Sequence, residues 1–333
     1  MSEQDVRRTR RPLVRSVLMA TALAAVAAIA VPSGAASAGE AAAGYQVPLY
    51  ASSGVGTTSV VPAASTSARS GRAANITVTY TGFSAAAKAS FQRAVNIWKS
   101  RLNSGVTVKI AANYTNLGNP NILGSAGPTT VHKNFAGAPK QNVWYVAAAA
   151  NKRAGSDLNG AGMAEIQASF NSSFSNWHFG SGAPPANKYD FETVVLHEIG
   201  HGVGLLSGIY QSGSSIRWDP VGGNVPLITG TFVVNSANKA LTTFTNGSTA
   251  LKTAATSGQV FFNGPQAKAA NGGAKPRVFA PNPFQPGSSL SHWDENTYGR
   301  GNANSLMTPF LSQGERILNP GAFTLGALKD SGW

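Results

Sequence analysis

The feature that most limits this chain is the stretch 189–206, which is apolar on nearly every side and still carries two histidines and three acids. Phe191, Val194, Val195, Leu196 and Ile199 leave it no polar face, so the helix they predict belongs in a core rather than on a surface. Asp190 and Glu192 stand near its start, where the positive end of the helix dipole favours acids. Residues 197–201 read His-Glu-Ile-Gly-His. Positions i and i+4 share one helix face. Both imidazoles therefore point the same way, as two nitrogens of a tetrahedral zinc site require. Glu198, one residue round, reaches a water on such a metal and can take its proton. Five histidines and seven glutamates in 333 residues would give this spacing by chance roughly 0.002 times. The plain alternative is a helix with two unrelated histidines, and the buried setting weighs against it.

Burying such a helix takes apolar partners on all sides, and apolar residues make up 42% of the chain. Charged residues make up only 12%, about half the share of an ordinary globular domain. Glycine and small polar residues fill the difference. That is the composition of a loop-rich extracellular protein, since a disordered chain would be charge-rich and poor in aromatics. The formal net charge of +13 raises nucleic acid as a partner. Five of the 26 basic residues, Arg7, Arg8, Arg10, Arg11 and Arg15, fall in an N-terminal segment expected to be removed, and the rest form no stripe. No nucleic-acid partner is therefore expected. Cysteine is absent, which excludes disulfides, thiolate ligands, a cysteine nucleophile and any cysteine cap on a metal.

Residues 1–38 have the three parts of a secretory signal peptide. A basic stretch spans 7–15, an apolar run spans 17–31, and Ala36-Ser37-Ala38 fits the cleavage site. The apolar run is short for a membrane span, which needs about 20 residues. Arg10-Arg11-Pro12-Leu13 loosely resembles a twin-arginine signal, with Leu13 where a phenylalanine is more usual. The mature protein is expected to be secreted, extracellular and without a membrane span.

Residues 39–73, rich in Ala, Ser, Gly and Val, read as a linker or short propeptide. The ordered domain is expected over 74–333. Alternation at Ile76-Thr77-Val78-Thr79-Tyr80 predicts a strand. Ser84 caps a helix to about Leu102 with the stripe Phe91, Ala94, Val95, Trp98, Leu102. Strands follow at 106–110, 143–147 and 164–170. The class is α/β (α+β), with helices packed on a twisted mixed sheet. Residues 74–207 form the part that holds the active-site helix. Residues 208–288 read as an insertion of short strands and loops, and 289–333 as a small C-terminal part with a helix over 324–328.

A catalytic zinc needs a third protein ligand and one open position. Between Glu198 and Asp294 the only acid is Asp219, so His292 and Asp219 are the candidates after the motif; His132 and His178 precede it. The motif continues Gly202-Val203-Gly204-Leu205-Leu206-Ser207. It resembles that of the metzincin peptidases, H-E-x-x-H-x-x-G-x-x-H or D, with Gly204 where the helix must stop. Ser207 occupies the usual third-ligand position, and a hydroxyl is a poor zinc ligand. His292 lies in Ser291-His292-Trp293, and Ser305-Leu306-Met307-Thr308-Pro309 follows. The long insertion, the His-Trp pair and the Leu-Met-x-Pro turn are similar to the leishmanolysin-type branch.

That resemblance implies a metzincin-like catalytic domain in which His197, His201 and His292 bind one Zn2+. Glu198 would be the general base and Met307 a support beneath the metal. It also implies an edge strand near 164–170 that pairs with extended peptides. Asp190 or Asp294 is a candidate to orient a ligand histidine. The expected activity is hydrolysis of protein or peptide substrates by a monomer. No calcium site is read from the chain. The alternative is a zinc-bearing, non-hydrolytic binding protein whose working surface is the 208–288 insertion.

Overall fold

The computed structural model describes residues 39–52, 57–64 and 72–333. Residues 1–38, read above as a signal peptide, lie outside the described residues.

Three short strands come first: β1 (Glu40–Ala43), β2 (Val47–Ala51) and β3 (Ser59–Val61). The next elements are β4 (Ile76–Thr81), α1 (Ala85–Arg101), β5 (Val108–Thr115), β6 (Ile122–Pro128), β7 (Thr130–Lys133) and β8 (Tyr145–Val146). Then come α2 (Ala147–Ala154), β9 (Ile166–Asn171) and α3 (Phe191–Gly202). The class is α/β, as the alternation of elements predicts. Ser84 caps α1, its hydroxyl accepting from the Ala87 N–H at 3.2 Å. The strand expected over 143–147 shrinks to Tyr145–Val146, because the run Ala147-Ala148-Ala149-Ala150 is a better helix start than strand.

A six-stranded mixed sheet organises the molecule in the order Phe310–Leu311, β2, β6, β9, β5, β4. Strands β4, β5 and β9 run parallel, β6 runs antiparallel to β9, and β2 runs antiparallel to β6. Two expectations are corrected here. First, order does not begin near residue 74. β1 pairs with β7, β2 with β6, and β3 with Glu315–Ile317. These strands have three to five residues, too few for a period to stand out from a background of Ala, Ser and Val. Second, the strand expected at 164–170 is no edge. β9 is paired on both sides, by β5 and β6. Alternating Ile166, Ala168 and Phe170 are buried, and alternation of this kind marks a half-buried strand wherever it sits in the sheet.

α1 and α3 pack together against the sheet. Phe91 on α1, Phe170 on β9 and Phe191 on α3 meet edge-on or tilted, with ring centroids 5.3–5.6 Å apart. The Trp98 indole N–H donates to the Leu196 carbonyl at 2.8 Å, fixing α1 to the turn before His197. The insertion contains two helices that the sequence pattern did not reveal, Thr249–Ala255 and Pro265–Ala270. The second packs on the C-terminal helix Ala322–Asp330, whose Asp330 carboxylate accepts from the N–H groups of Gln266 and Ala267 at 2.9 and 3.0 Å. Among the described residues no helix is long and apolar enough to cross a membrane.

The start of α3 is held by charge. Asp190 caps it, accepting from the Thr193 N–H at 3.0 Å. Arg316, itself buried, donates to Asp190 at 2.6 Å and to Glu192 at 2.7 Å. Removing Arg316 strands the buried Asp190 carboxylate without a counter-charge, while Glu192 keeps the Arg93 guanidinium at 2.5 Å. Arg316→Ala should therefore lower unfolding stability by about 3–5 kcal/mol, read from denaturant midpoints. A loss below about 1 kcal/mol, the scale of an exposed pair, would show that the network carries little.

Candidate metal centre

α3 presents His197 and His201 one turn apart, and a loop 91 residues beyond His201 returns His292 to them. The three Nε2 atoms form a near-equilateral triangle. His197 and His201 are 3.0 Å apart, His201 and His292 3.1 Å, and His292 and His197 3.2 Å. Each opposite ring nitrogen faces a backbone carbonyl. Nδ1 of His197 meets Leu306 O at 2.6 Å, that of His201 meets Leu205 O at 2.6 Å, and that of His292 meets Ser288 O at 2.8 Å. A carbonyl only accepts, so every Nδ1 carries the proton and every Nε2 is left a lone pair. Burial lowers all three histidines below their ordinary value, His292 to about 4. Three neutral imidazoles thus aim three lone pairs at one another with no proton to share.

Such a triangle fits a cation. Tetrahedral zinc with Zn–N near 2.0–2.1 Å would separate its ligand nitrogens by about 3.3–3.4 Å. The donor set is all imidazole, which suits zinc. Beside it stands Glu198, fully buried, with neither carboxylate oxygen making a hydrogen bond of good geometry. Burial raises its pKa well above the ordinary carboxylate range, opposed by the N–H groups of Leu49 and Ala126 that face it. Gly124 on β6 leaves it room, since a β-carbon there would stand 3.2 Å from Glu198 Cγ and Oε1.

The walls of the site explain the local sequence. Gly204 has φ 121°, a state that favours glycine, and the turn it allows swings Leu205 O back onto His201. Gly200 admits Met307: a β-carbon there would lie 2.7 Å from its sulfur. The 3-10 turn Ser305–Met307 thus lies beneath α3 and supplies the Leu306 carbonyl. Leu290 reverses the chain just before His292 with φ 66°, which costs a side-chain-bearing residue about 1–3 kcal/mol. Main-chain bonds hold this turn: Phe279 N to His292 O at 2.9 Å and Trp293 N to Met307 O at 2.8 Å.

His197, Glu198, His201, His292, Gly204 and Met307 are all brought together. The other candidates are not. Asp219 accepts both ends of the Arg217 guanidinium, at 2.9 and 3.0 Å. Ser207 accepts from the Ile209 N–H. His132 bonds Thr130, and His178 lies against the Gly182 carbonyl. Asp190 and Asp294, expected to orient ligand histidines, do not. The first is committed to Arg316 and the second to Thr297. Main-chain carbonyls take that role, and no residue type announces a carbonyl.

Gly204→Ala should disturb the turn and withdraw Leu205 O from His201. Loss of an outer partner of this kind lowers metal affinity by about 10–100-fold. Competition against a chromogenic chelator measures it, and unchanged affinity would remove the carbonyl from the account.

No protein-family model matches the chain, and neither a search of curated proteins nor one of solved structures finds a match.

Proposed function

We propose that this protein is a secreted zinc-dependent endopeptidase. The observation that carries the reading is the convergence of three proton-free Nε2 atoms beside the buried Glu198 carboxylate, which makes no hydrogen bond of good geometry. Bound there, zinc would supply Lewis-acid chemistry toward a peptide carbonyl and an attacking water. Glu198 takes the proton of that water on its carboxylate and returns it to the leaving amine. Leu205, Leu306 and Ser288 hold the ligand rings in one tautomer, so no ligand drifts onto a proton instead. Met307 fills the space under Gly200 and fixes the height of α3. Export rests on the basic, apolar and small-residue pattern of residues 1–38.

Turnover of casein by purified zinc-loaded protein tests the reading, with a chelator and Glu198→Ala as controls. Equal turnover in the variant would end it. One observation favours a second reading, in which zinc is only a structural staple: every group of the site is buried. That reading requires chelation to lower the melting temperature while no substrate is cleaved under any condition.

A further inference from the structure

His197, Glu198, His201 and His292 are 1, 0, 0 and 3% exposed, so no group of the site is open to a polypeptide. On the Glu198 side the cover is the chain's own N-terminal strand. β2 lies antiparallel on β6 with Leu49 opposite Gly124, the glycine that borders the Glu198 carboxylate. Segment 45–49 touches three parts of the chain around the site. The Tyr45 carbonyl closes on Gly127 of β6, so near that a β-carbon there could not fit. Pro48 packs on Gly287, in the loop that leads to His292, where a β-carbon would lie 2.7 Å from its ring. The buried Tyr45 hydroxyl lies against the Gly208 backbone, just past the end of α3.

We infer that β2 is the chain's own occupant of a peptide-binding cleft along β6, a latency segment that must leave before a substrate strand can take its place. This rests on the peptidase reading above. β2 has the form of a bound peptide. Its backbone is extended, it is paired to β6 along 47–50 and to Phe310–Leu311 only through its last two residues, and alternate side chains, Val47 and Leu49, are buried. It is also built to be displaced. Pro48 has no N–H to give, and the ladder breaks at a register shift between Leu49 and Tyr50. The parallel strands β4, β5 and β9 with α1 and α3 hold the large buried aromatics without it. A cysteine-free chain has no thiolate with which to cap a metal, and strand addition achieves closure with main-chain bonds alone.

The test places a specific protease site after the exposed Ala63 of the full chain. Zinc-loaded protein is then compared before cutting and after cutting and washing. If the open state makes up about one molecule in a hundred of the uncut chain, the cut protein should hydrolyse a quenched fluorescent peptide about 100-fold faster. A chelator should also extract its zinc faster. Added peptide of sequence 40–61 should reverse both effects, and the same peptide with Leu49→Asp should not. In the uncut chain, Val47→Asp with Leu49→Asp should raise turnover and zinc loss while the circular dichroism of the fold persists. Equal hydrolysis and equal zinc extraction before and after cutting would overturn the inference. If cutting speeds zinc extraction but neither form cleaves peptide, β2 is a cover and the peptidase reading fails instead.

Discussion

Glu198→Gln should abolish most peptide hydrolysis, by about 10²–10⁴-fold in kcat, while the protein still binds one zinc per chain. The substitution keeps the shape of the side chain and removes its basicity. It touches no ligand nitrogen, so metal affinity and the spectrum of a cobalt-substituted site should barely change. Stability should move the other way from activity. The Glu198 carboxylate is fully buried and without a well-formed hydrogen bond, an arrangement that works against the fold. An amide carries no charge into that space. The variant should therefore melt at the wild-type temperature or above it. A variant that loses both activity and stability would make Glu198 a structural residue. One that keeps activity would move the base elsewhere.

His292→Ala should weaken zinc binding by more than the 10–100-fold that losing an outer partner costs, because it removes one corner of the nitrogen triangle itself. Asp219→Ala and Ser207→Ala should keep full zinc occupancy, since the cluster of ligand atoms is formed by His197, His201 and His292, and the Asp219 carboxylate and Ser207 hydroxyl are bonded to Arg217 and to the Ile209 N–H. Without metal the His292 substitution should cost less. It relieves one of three facing lone pairs, so metal-free His292→Ala should lose less stability than a buried histidine normally would. Equilibrium dialysis gives the metal count, and denaturant melts with and without chelator separate the two effects. Full zinc retention in the His292 variant would remove it from the ligand set.

Much of the site was legible because its side chains are rare and their spacing is geometric. His197 and His201 are read from the helical period; the shortage of other donors narrows the third ligand after the motif to His292 or Asp219, and the metzincin resemblance implies His292. What the sequence hides is the work of the main chain. Leu205, Leu306 and Ser288 act through carbonyls, which every residue has. Residues 39–61 were unreadable for another reason. A strand of three to five residues among Ala, Ser and Val has neither the length nor the contrast to show a period. The place of β9 inside the sheet was invisible too, because alternation reports which face is buried and not which strands lie alongside.

The distance along the chain between His201 and His292 has a polymer-physical consequence. A zinc held by both would close a loop of 91 residues. In a chain without cysteine it would act as a cross-link of the kind disulfides provide elsewhere. The chain-entropy relation used for disulfides puts such a closure at about 4–5 kcal/mol at 25 °C, a large part of the stability of an ordinary domain. On that account the metal restrains the denatured ensemble as well as the native site. A chelator would then lower the melting temperature of the whole fold, and shortening the insertion would make the same ion worth less.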